Sequence, residues 1–392
     1  MHKTHKIQLI PTNSQKNLLH QSFGVKRHSY NWALAKWKEL YELGEKPSAY
    51  KLIKLQNSIK KNEFPFYKNV NKCAPQYAIH DLESAFKKMW KEKYGHPKFK
   101  KKGVKDSYVA VEGEKDFKQK YKKLWIPRIG WFRCHENLRF NGKVNNIVIK
   151  RVADKYFAFI NIITNETPTI CENQAVVGVD LGIKTLLTCS NGKTFENPKS
   201  LLRGLKSLKR SQRSLARKKK GSLNRKKQIK VVAKKHYKIS CIRKNALHQA
   251  TSYLVKNYGT IVIEDLNVKG MVKNHKLAQA INDASFGEFK RQITYKSEWR
   301  GVKLIVADRF FASSKICSCC GQKKEVLKLS ERVFKCSNCE NKLDRDLNAA
   351  INLANLALLS NREEVKLVEQ TQMFEQSNRV AMNQELNIFK QN

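Results

Sequence analysis

Apolar positions first gather at Ile7, Leu9 and Ile10, which predicts a short strand over residues 3–10. Pro11-Thr12 then opens a helix. Thr12 suits the N-cap, and Gln15, three residues on, completes a capping box. Leu19, Phe23, Tyr30, Leu34 and Trp37 follow at helical spacing. Similar patterns fill 48–60 and 75–94, where Tyr77, Leu82, Phe86, Met89 and Trp90 mark an apolar face expected in the core. The period breaks in a basic loop, Gly95-His96-Pro97-Lys98-Phe99-Lys100-Lys101-Lys102-Gly103. Strand patterns then cover 107–111, 122–126, 144–150 and 155–163, with Asn141-Gly142 as a turn signal. They predict a small all-β domain closed as a barrel. Polar residues 164–174 read as a linker.

Beyond it, Ala175 to Leu181 forms a buried-type strand, Gly182 turns the chain into a second strand at 185–189, and Asn191-Gly192 suggests another hairpin. A long helical region spans 199–256, with apolar stripes at Leu201, Leu205, Leu208 and Leu215, then Ile229, Val232, Ile239 and Ile242. Further strands are expected at 260–264 and 302–307. A cysteine module occupies about 315–340, and a helix at 346–359 carries Leu347, Ala350, Ile351, Ala354 and Leu358. Residues beyond about 361 are rich in Glu, Gln and Asn and read as a weakly ordered tail. This alternation of strands and helices places the second half in the α/β class.

Composition adds a partner. The 392 residues hold 78 Lys and Arg against 33 Asp and Glu, a formal net charge of +45. A surface like that repels itself unless a polyanion neutralises it, so a long nucleic acid is the expected ligand. A membrane surface usually calls for one local basic cluster, whereas here the charge runs through most of the chain. The N-terminus lacks the apolar core of a signal peptide, and no apolar run approaches the ~18 residues of a membrane span. The expected location is cytoplasmic and nucleoid-associated.

Candidate chemistry lies in three acids. Asp180 ends the apolar run Gly178-Val179-Asp180-Leu181-Gly182, and Glu264 ends Ile261-Val262-Ile263. Asp346 stands at the start of the closing helix. A carboxylate at such a strand end is costly unless a cation or hydrogen bonds satisfy it. Each acid alone has a structural explanation; one acid on each of three elements suggests an RNase H-like (RuvC) nuclease. Phosphodiester hydrolysis uses such a cluster to hold two divalent ions, and hard oxygen ligands suit Mg²⁺ or Mn²⁺. Asp180 would bridge the two ions, with Glu264 and Asp346 completing one site each. Asp265 and Asp344 are runners-up: the first should point away from its neighbour in a strand, and the second is placed to cap the helix.

Cys317-Ser318-Cys319-Cys320 and Cys336-Ser337-Asn338-Cys339 form two C-x2-C knuckles separated by fifteen residues, a zinc-ribbon spacing. Cys317, Cys320, Cys336 and Cys339 would close a structural Zn²⁺ site, leaving Cys319 as a spare thiol. Cys73, Cys134, Cys171, Cys189 and Cys241 read as small core residues. Between Arg203 and Lys244 stand eighteen Lys or Arg and no acid. A solvated face usually mixes signs, so this stretch favours phosphate contact. The candidates are Lys209, Arg210, Arg213, Arg217, Lys218, Lys219, Lys220, Arg225, Lys226 and Lys227.

These residues together resemble the TnpB family, encoded by insertion sequences that transpose as single strands. The match runs over roughly residues 1–360. It takes in Pro11-Thr12 with Gln15, Arg27 with Tyr30-Asn31, Gly95-x-Pro97-x-Phe99-Lys100 and Gly178-Val179-Asp180-Leu181-Gly182. It continues through Ile263-Glu264-Asp265-Leu266, Ser313-Ser314-Lys315, the ribbon, and Asp344-Arg345-Asp346-x-Asn348-Ala349-Ala350. Ala312 stands where Pro is expected. The resemblance implies an RNA-guided DNA endonuclease, related to compact type V CRISPR effectors, that cuts beside a short motif read on duplex DNA. Its partners would be a guide RNA from the transposon end and target double-stranded DNA, and the charge suits a protein that holds a heteroduplex by shape and backbone. By motif position, Asp180, Glu264 and Asp346 take the catalytic places and the four paired cysteines the zinc places.

The implied architecture is α/β and α+β and multidomain. A wedge strand (1–10) and a helical recognition domain (11–103) precede the wedge β-barrel (104–173). The nuclease domain follows at 174–310 with its basic insert at 199–256, then the zinc ribbon (311–342), the closing helix (343–360) and the tail (361–392). Three rivals remain at this stage: a nuclease-dead RNA-guided repressor, a non-enzymatic zinc-ribbon DNA-binding protein, and a transposase that joins DNA ends itself.

Overall fold

The computed structural model describes residues 1–92, 94–113, 116–165, 172–328 and 331–358. The tail, Cys171 and much of the polar linker lie outside them. The chain divides into two compact units, Met1–Glu166 and Thr167–Asn392.

The first unit begins with β1 (His2–Ile10) and α1 (Asn13–Glu42). The expected capping box is present: Gln15 N–H donates to Thr12 Oγ1 (3.3 Å) and Thr12 N–H to Gln15 Oε1 (3.0 Å). Then come α2 (Ala49–Ile59), α3 (Cys73–Glu92), β2 (Ser107–Glu112), β3 (Gln119–Lys120), β4 (Lys123–Ile126), β5 (Gly130–Cys134), β6 (Lys143–Val152) and β7 (Lys155–Ile163). All seven strands form one antiparallel sheet in the order β2-β6-β7-β1-β5-β4-β3. β1 therefore lies between β7 and β5, although it precedes every helix in sequence. The order has two edges, β2 and β3, so among the described residues hydrogen bonds do not close the expected barrel. One face instead buries Ile7, Leu124, Phe132, Ile147 and Ile160 under Leu19 and Phe23 of α1. Sequence periodicity missed β3, which is two exposed residues, and β5, where only Phe132 and Cys134 turn inward.

At ~1.5 Å per residue the 30-residue α1 is long enough to serve two cores. Its second half places Tyr30, Leu34 and Trp37 against Leu52, Ile79, Leu82 and Phe86 of α2 and α3. Trp37 stacks on Phe86 with centroids 4.6 Å apart. Trp90, expected in this core, is 58% exposed, because it sits beyond Phe86 at the outer end of that stack.

The second unit contains β8 (Val176–Leu181), β9 (Thr185–Cys189), β10 (Thr194–Glu196), α4 (Ser200–Ala216), α5 (Leu223–Asn257) and β11 (Thr260–Glu264). It continues with α6 (Val268–Met271), α7 (His275–Ala284), α8 (Phe286–Arg300), β12 (Lys303–Ala307), β13 (Val333–Lys335), β14 (Lys342–Asp344) and α9 (345–358). Five strands form a mixed sheet, β10-β9-β8-β11-β12: the first three are antiparallel, and β8-β11-β12 run parallel.

Alternation along β8 and β11 sorts the two faces. Val177, Val179, Ile261 and Ile263 pack with Leu247, Leu254, Phe286, Phe289 and Ile293 of α5 and α8. Val262 packs with Leu353 and Ala357 of α9 on the other face. Gly178, Asp180 and Glu264 share the parity of Val262 and so face α9. The buried side of α9 is Asn348, Ala349, Ala350, Asn352, Leu353, Ala354 and Ala357, while Leu358, expected inside, is 47% exposed. Ala350 and Ala354 are buried as expected, while the rest of this face includes the amides Asn348 and Asn352, which an apolar count passes over. Cys73, Cys134 and Cys189 are buried as expected, but Cys241 is exposed on α5. No helix among the described residues is long and apolar enough to cross a membrane.

Candidate functional site

The parallel register pairs Val179 with Ile263. The next residues along, Asp180 and Glu264, therefore stand side by side at the C-terminal edge of the sheet, on one face. α9 delivers the third acid. Its backbone comes so close to β8 that a Cβ at Gly178 would collide with the Ala350 carbonyl and meet Ala354 N at 2.5 Å. Only glycine permits this approach. Four residues of helix rise ~6 Å and two of strand ~6.7 Å. Contact of Ala350 with Gly178 therefore carries Asp346 up to the level of Asp180. A Cβ on Gly182 would stand 3.9 Å from Asp346 Oδ2.

The electrostatics report the same convergence. The Asp180 carboxyl is pushed up to about 8, first by burial and then by the negative charges of Glu264 and Asp346. Arg345 and the Leu181 N–H offset part of this. Glu264 accepts a hydrogen bond from Ser313 Oγ. Asp346 has Arg345 Nε 3.9 Å from its Oδ1. The runners-up have other occupations. Asp265 pairs with Lys290 (2.7 Å) and Arg309 (2.6 Å). Asp344 Oδ1 caps α9 by accepting from the N–H groups of Asp346 (3.0 Å) and Leu347 (3.1 Å). The sequence reading gave Gly178 no role, yet a glycine inside an apolar strand is itself a sign of close backbone approach.

The Sγ atoms of Cys317, Cys320, Cys336 and Cys339 lie within 4.8 Å of one another. The Cys317–Cys339 and Cys320–Cys336 separations are both 3.6 Å. Four sulfurs ~2.3 Å from a tetrahedral zinc stand ~3.8 Å apart, so the donor set fits that ion. Gly321 turns the first knuckle with φ +75° and donates its N–H to Cys317 O at 2.9 Å. Phe334 of β13 is buried beneath Cys317 and Cys336. Cys319 is exposed and outside the cluster.

The basic stretch forms a helical hairpin. Gly204 of α4 lets Ile239 of α5 approach, and Leu208 and Ile239 are buried. Lys235 Nζ donates to Ser207 O (3.0 Å), and Gln228 Nε2 to Ser211 O (3.1 Å). Ile229 and Ile242, expected in the apolar stripe, are 48% and 42% exposed, since only part of α5 meets a partner. Lys209, Arg210, Arg213, Arg217, Lys219, Lys220, Lys226 and Lys227 are exposed, and Lys218 is half-buried. Arg225 differs: its NH1 donates to Leu215 O (2.8 Å) and Lys218 O (3.3 Å), so it braces the turn between the helices. Asp283, not singled out by sequence, accepts from Ser200 Oγ (3.0 Å), Leu201 N (2.9 Å) and Arg243 NH2 (2.9 Å), which anchors the hairpin's base to α7.

Comparison with known proteins identifies relatives along most of the chain. The chain is 33% identical over 359 residues to a Streptomyces pristinaespiralis protein named "Putative RNA-guided DNA endonuclease", covering 89% of this chain and 87% of that one. It is 30% identical over 368 residues to InsQ of Escherichia coli (strain K12), which carries the same description, covering 89% and 90%. The chain belongs to the TnpB family. Family profiles match along its length: "Helix-turn-helix domain" over 1–46, "Probable transposase" over 160–275 and "Cas12f1-like, TNB domain" over 286–353. The first description does not fit this TnpB-family chain, in which residues 1–46 hold one strand and one continuous helix. The fold resembles a chain in the structure titled "Cryo-EM structure of the Cas12f1-sgRNA-target DNA complex". The TM-score is 0.56 at 14% identity, over 90% of this chain and 98% of that one.

Proposed function

We propose that this protein is an RNA-guided DNA endonuclease with an RNase H-like (RuvC) site formed by Asp180, Glu264 and Asp346. The observation that carries the reading is the meeting of these acids at the C-terminal ends of adjacent parallel strands, with the Asp180 carboxyl pushed up to about 8. Such crowding of like charge is costly without a cation. The strand order β10-β9-β8-β11-β12, antiparallel then parallel, supports the RNase H-like class. Names of the relatives supply the RNA guide and the DNA target.

All three donors are hard oxygens, which fit Mg²⁺ or Mn²⁺. Asp180, Glu264 and Asp346 would hold these ions. Divalent ions, when bound, supply activation of water and stabilisation of the leaving oxygen. The chain's own contribution is placement. β8 and β11 fix two carboxylates in register, and Gly178 lets α9 bring the third. The four-cysteine cluster would hold a structural Zn²⁺ that shapes the segment between β12 and α9. The exposed lysines and arginines of α4 and α5 would contact the phosphates of guide RNA or heteroduplex. In the first unit, the sheet would serve as the wedge and α1–α3 as the recognition domain.

The test is cleavage of duplex DNA by the protein together with the RNA that co-purifies with it. Asp180→Ala, Glu264→Ala and Asp346→Ala should each abolish cutting and leave RNA binding intact. Full cleavage by Glu264→Ala would sink the assignment. Random RNA fragments on the purified protein, rather than RNA from one locus, would remove the guide.

A further inference from the structure

The segment leading from β12 into the first cysteine knuckle is pinned to α9 at several points. Asn352 Nδ2 donates to Ser313 O (2.7 Å) and Ile316 O (2.7 Å). Asn348 Nδ2 donates to Ile316 O (2.7 Å), and its Oδ1 accepts from Ser318 N–H (2.9 Å). Ser313, Asn348 and Asn352 are 3%, 0% and 5% exposed. Two buried amides on one helix thus hold the backbone on both sides of the knuckle's entry. The Ser313 hydroxyl, fixed by that backbone, donates to Glu264 Oε1.

Each link has a physical reason. A buried hydroxyl or amide must be matched, so once Asn348 and Asn352 are placed the 313–318 backbone has little freedom. Glutamate is long and flexible, and one donor on one carboxylate oxygen selects its rotamer. Among the described residues, Ser313 is the one hydrogen-bond partner of this carboxylate, on Oε1. Because Asn348 and Asn352 lie on the helix that carries Asp346, α9 positions two of the three acids, Asp346 directly and Glu264 through Ser313. The first knuckle, with Ser318 beside Cys317, closes the same network.

We propose that Ser313 is a positioning residue for Glu264, and that through it the folding of the cysteine module sets divalent-ion affinity at the carboxylate site. This rests on the reading of Glu264 as a metal ligand. Loss of an outer partner of a metal-ligating carboxylate typically weakens binding ~10–100-fold.

The measurement is calorimetric titration of Mn²⁺ into the full-length protein freed of nucleic acid, with zinc content determined on the same samples. Ser313→Ala should keep its zinc and bind Mn²⁺ ~10–100-fold more weakly. Ser313→Cys, which keeps the volume but offers a weak donor, should behave alike and decides the matter if the alanine variant fails to fold. Cys336→Ser should lose zinc and weaken Mn²⁺ binding. Combined with Ser313→Ala it should add little, because both changes cut one path. Wild-type Mn²⁺ affinity in both Ser313 variants overturns the positioning role. Additive losses in the double variant overturn the coupling to the cysteine module. Glu264→Ala is the control: if it leaves Mn²⁺ affinity intact, the ligand assignment itself fails, a result distinct from either of the others.

Discussion

The carboxylate edge and the α4–α5 hairpin are both charged, yet they are built on opposite principles. At the edge, three carboxyl groups are crowded together, and each is fixed by backbone geometry: register for Asp180 and Glu264, helix approach for Asp346. Along the hairpin many like charges are spread over exposed helix faces, and the apolar contact beneath them is narrow. A cluster that concentrates charge on small ions depends on every member. A surface that neutralises a polymer works by summation, so single members are replaceable.

The sharpest way to break this contrast is at the edge. Replacing Asp180 by Ala should lower cleavage by at least ~10³-fold, or about 4 kcal/mol of barrier, whereas any single exposed lysine of the hairpin should change it little. Equal effects of Asp180→Ala and Lys219→Ala on cleavage rate would erase the distinction. Next in size is Gly178→Ala, which touches no charge at all. Its methyl group must displace α9, so stability should fall by about 1–3 kcal/mol, read as a lower melting temperature, and Mn²⁺ affinity should fall with it. A variant that melts like the wild type would show that α9 has room to spare.

A different readout separates the regions by pH. Burial and crowding raise the Asp180 carboxyl to about 8 in the metal-free fold, against 3.8 ordinarily. Between those values the folded state holds a proton that the unfolded chain has released. The stability of metal-free protein should therefore decline as pH rises from about 4 to about 8, by up to ~1.4 kcal/mol per unit. Asp180→Asn should flatten the decline, and added Mg²⁺ should counter it only in the wild type. Melting curves across pH check this; an unchanged slope in the Asn variant would place the charge strain elsewhere.

The smallest effects lie in the hairpin. Changing Lys218, Lys219 and Lys220 to Gln should lower the slope of log affinity against log salt by ~0.7–0.9 for each phosphate that is no longer neutralised, without altering the preferred DNA motif. Ile239→Asp should instead loosen the hairpin, since that side chain fills the space beside Gly204. If the triple variant keeps both salt slope and cleavage rate, the cluster is a solvated face and phosphate binding belongs elsewhere.

Much of this was legible from residue order. Thr12 and Gln15 announced the start of α1, Ile261 to Ile263 a buried strand, and the spacing of four cysteines a cluster of sulfurs. Each is a local rule, in which the deciding neighbours are a few residues away in the chain. Helical periodicity places Trp90 and Ile242 inside because it shows that a face is apolar, not whether anything covers it. Leu358 failed similarly, since α9 buries Asn348 and Asn352 in place of expected hydrocarbon.

What the sequence determined by itself, then, was the set of elements, the excess of positive charge and the residue types able to do chemistry. The tertiary structure decided which of those residues meet. β1 finds its partners more than 120 residues away, and Asp346 reaches Asp180 only because Gly178 admits a helix backbone. Ser313 and Asn352 gain a purpose only when α9 folds back over the sheet. Such meetings depend on distance and direction in space, and no periodicity along a chain encodes either.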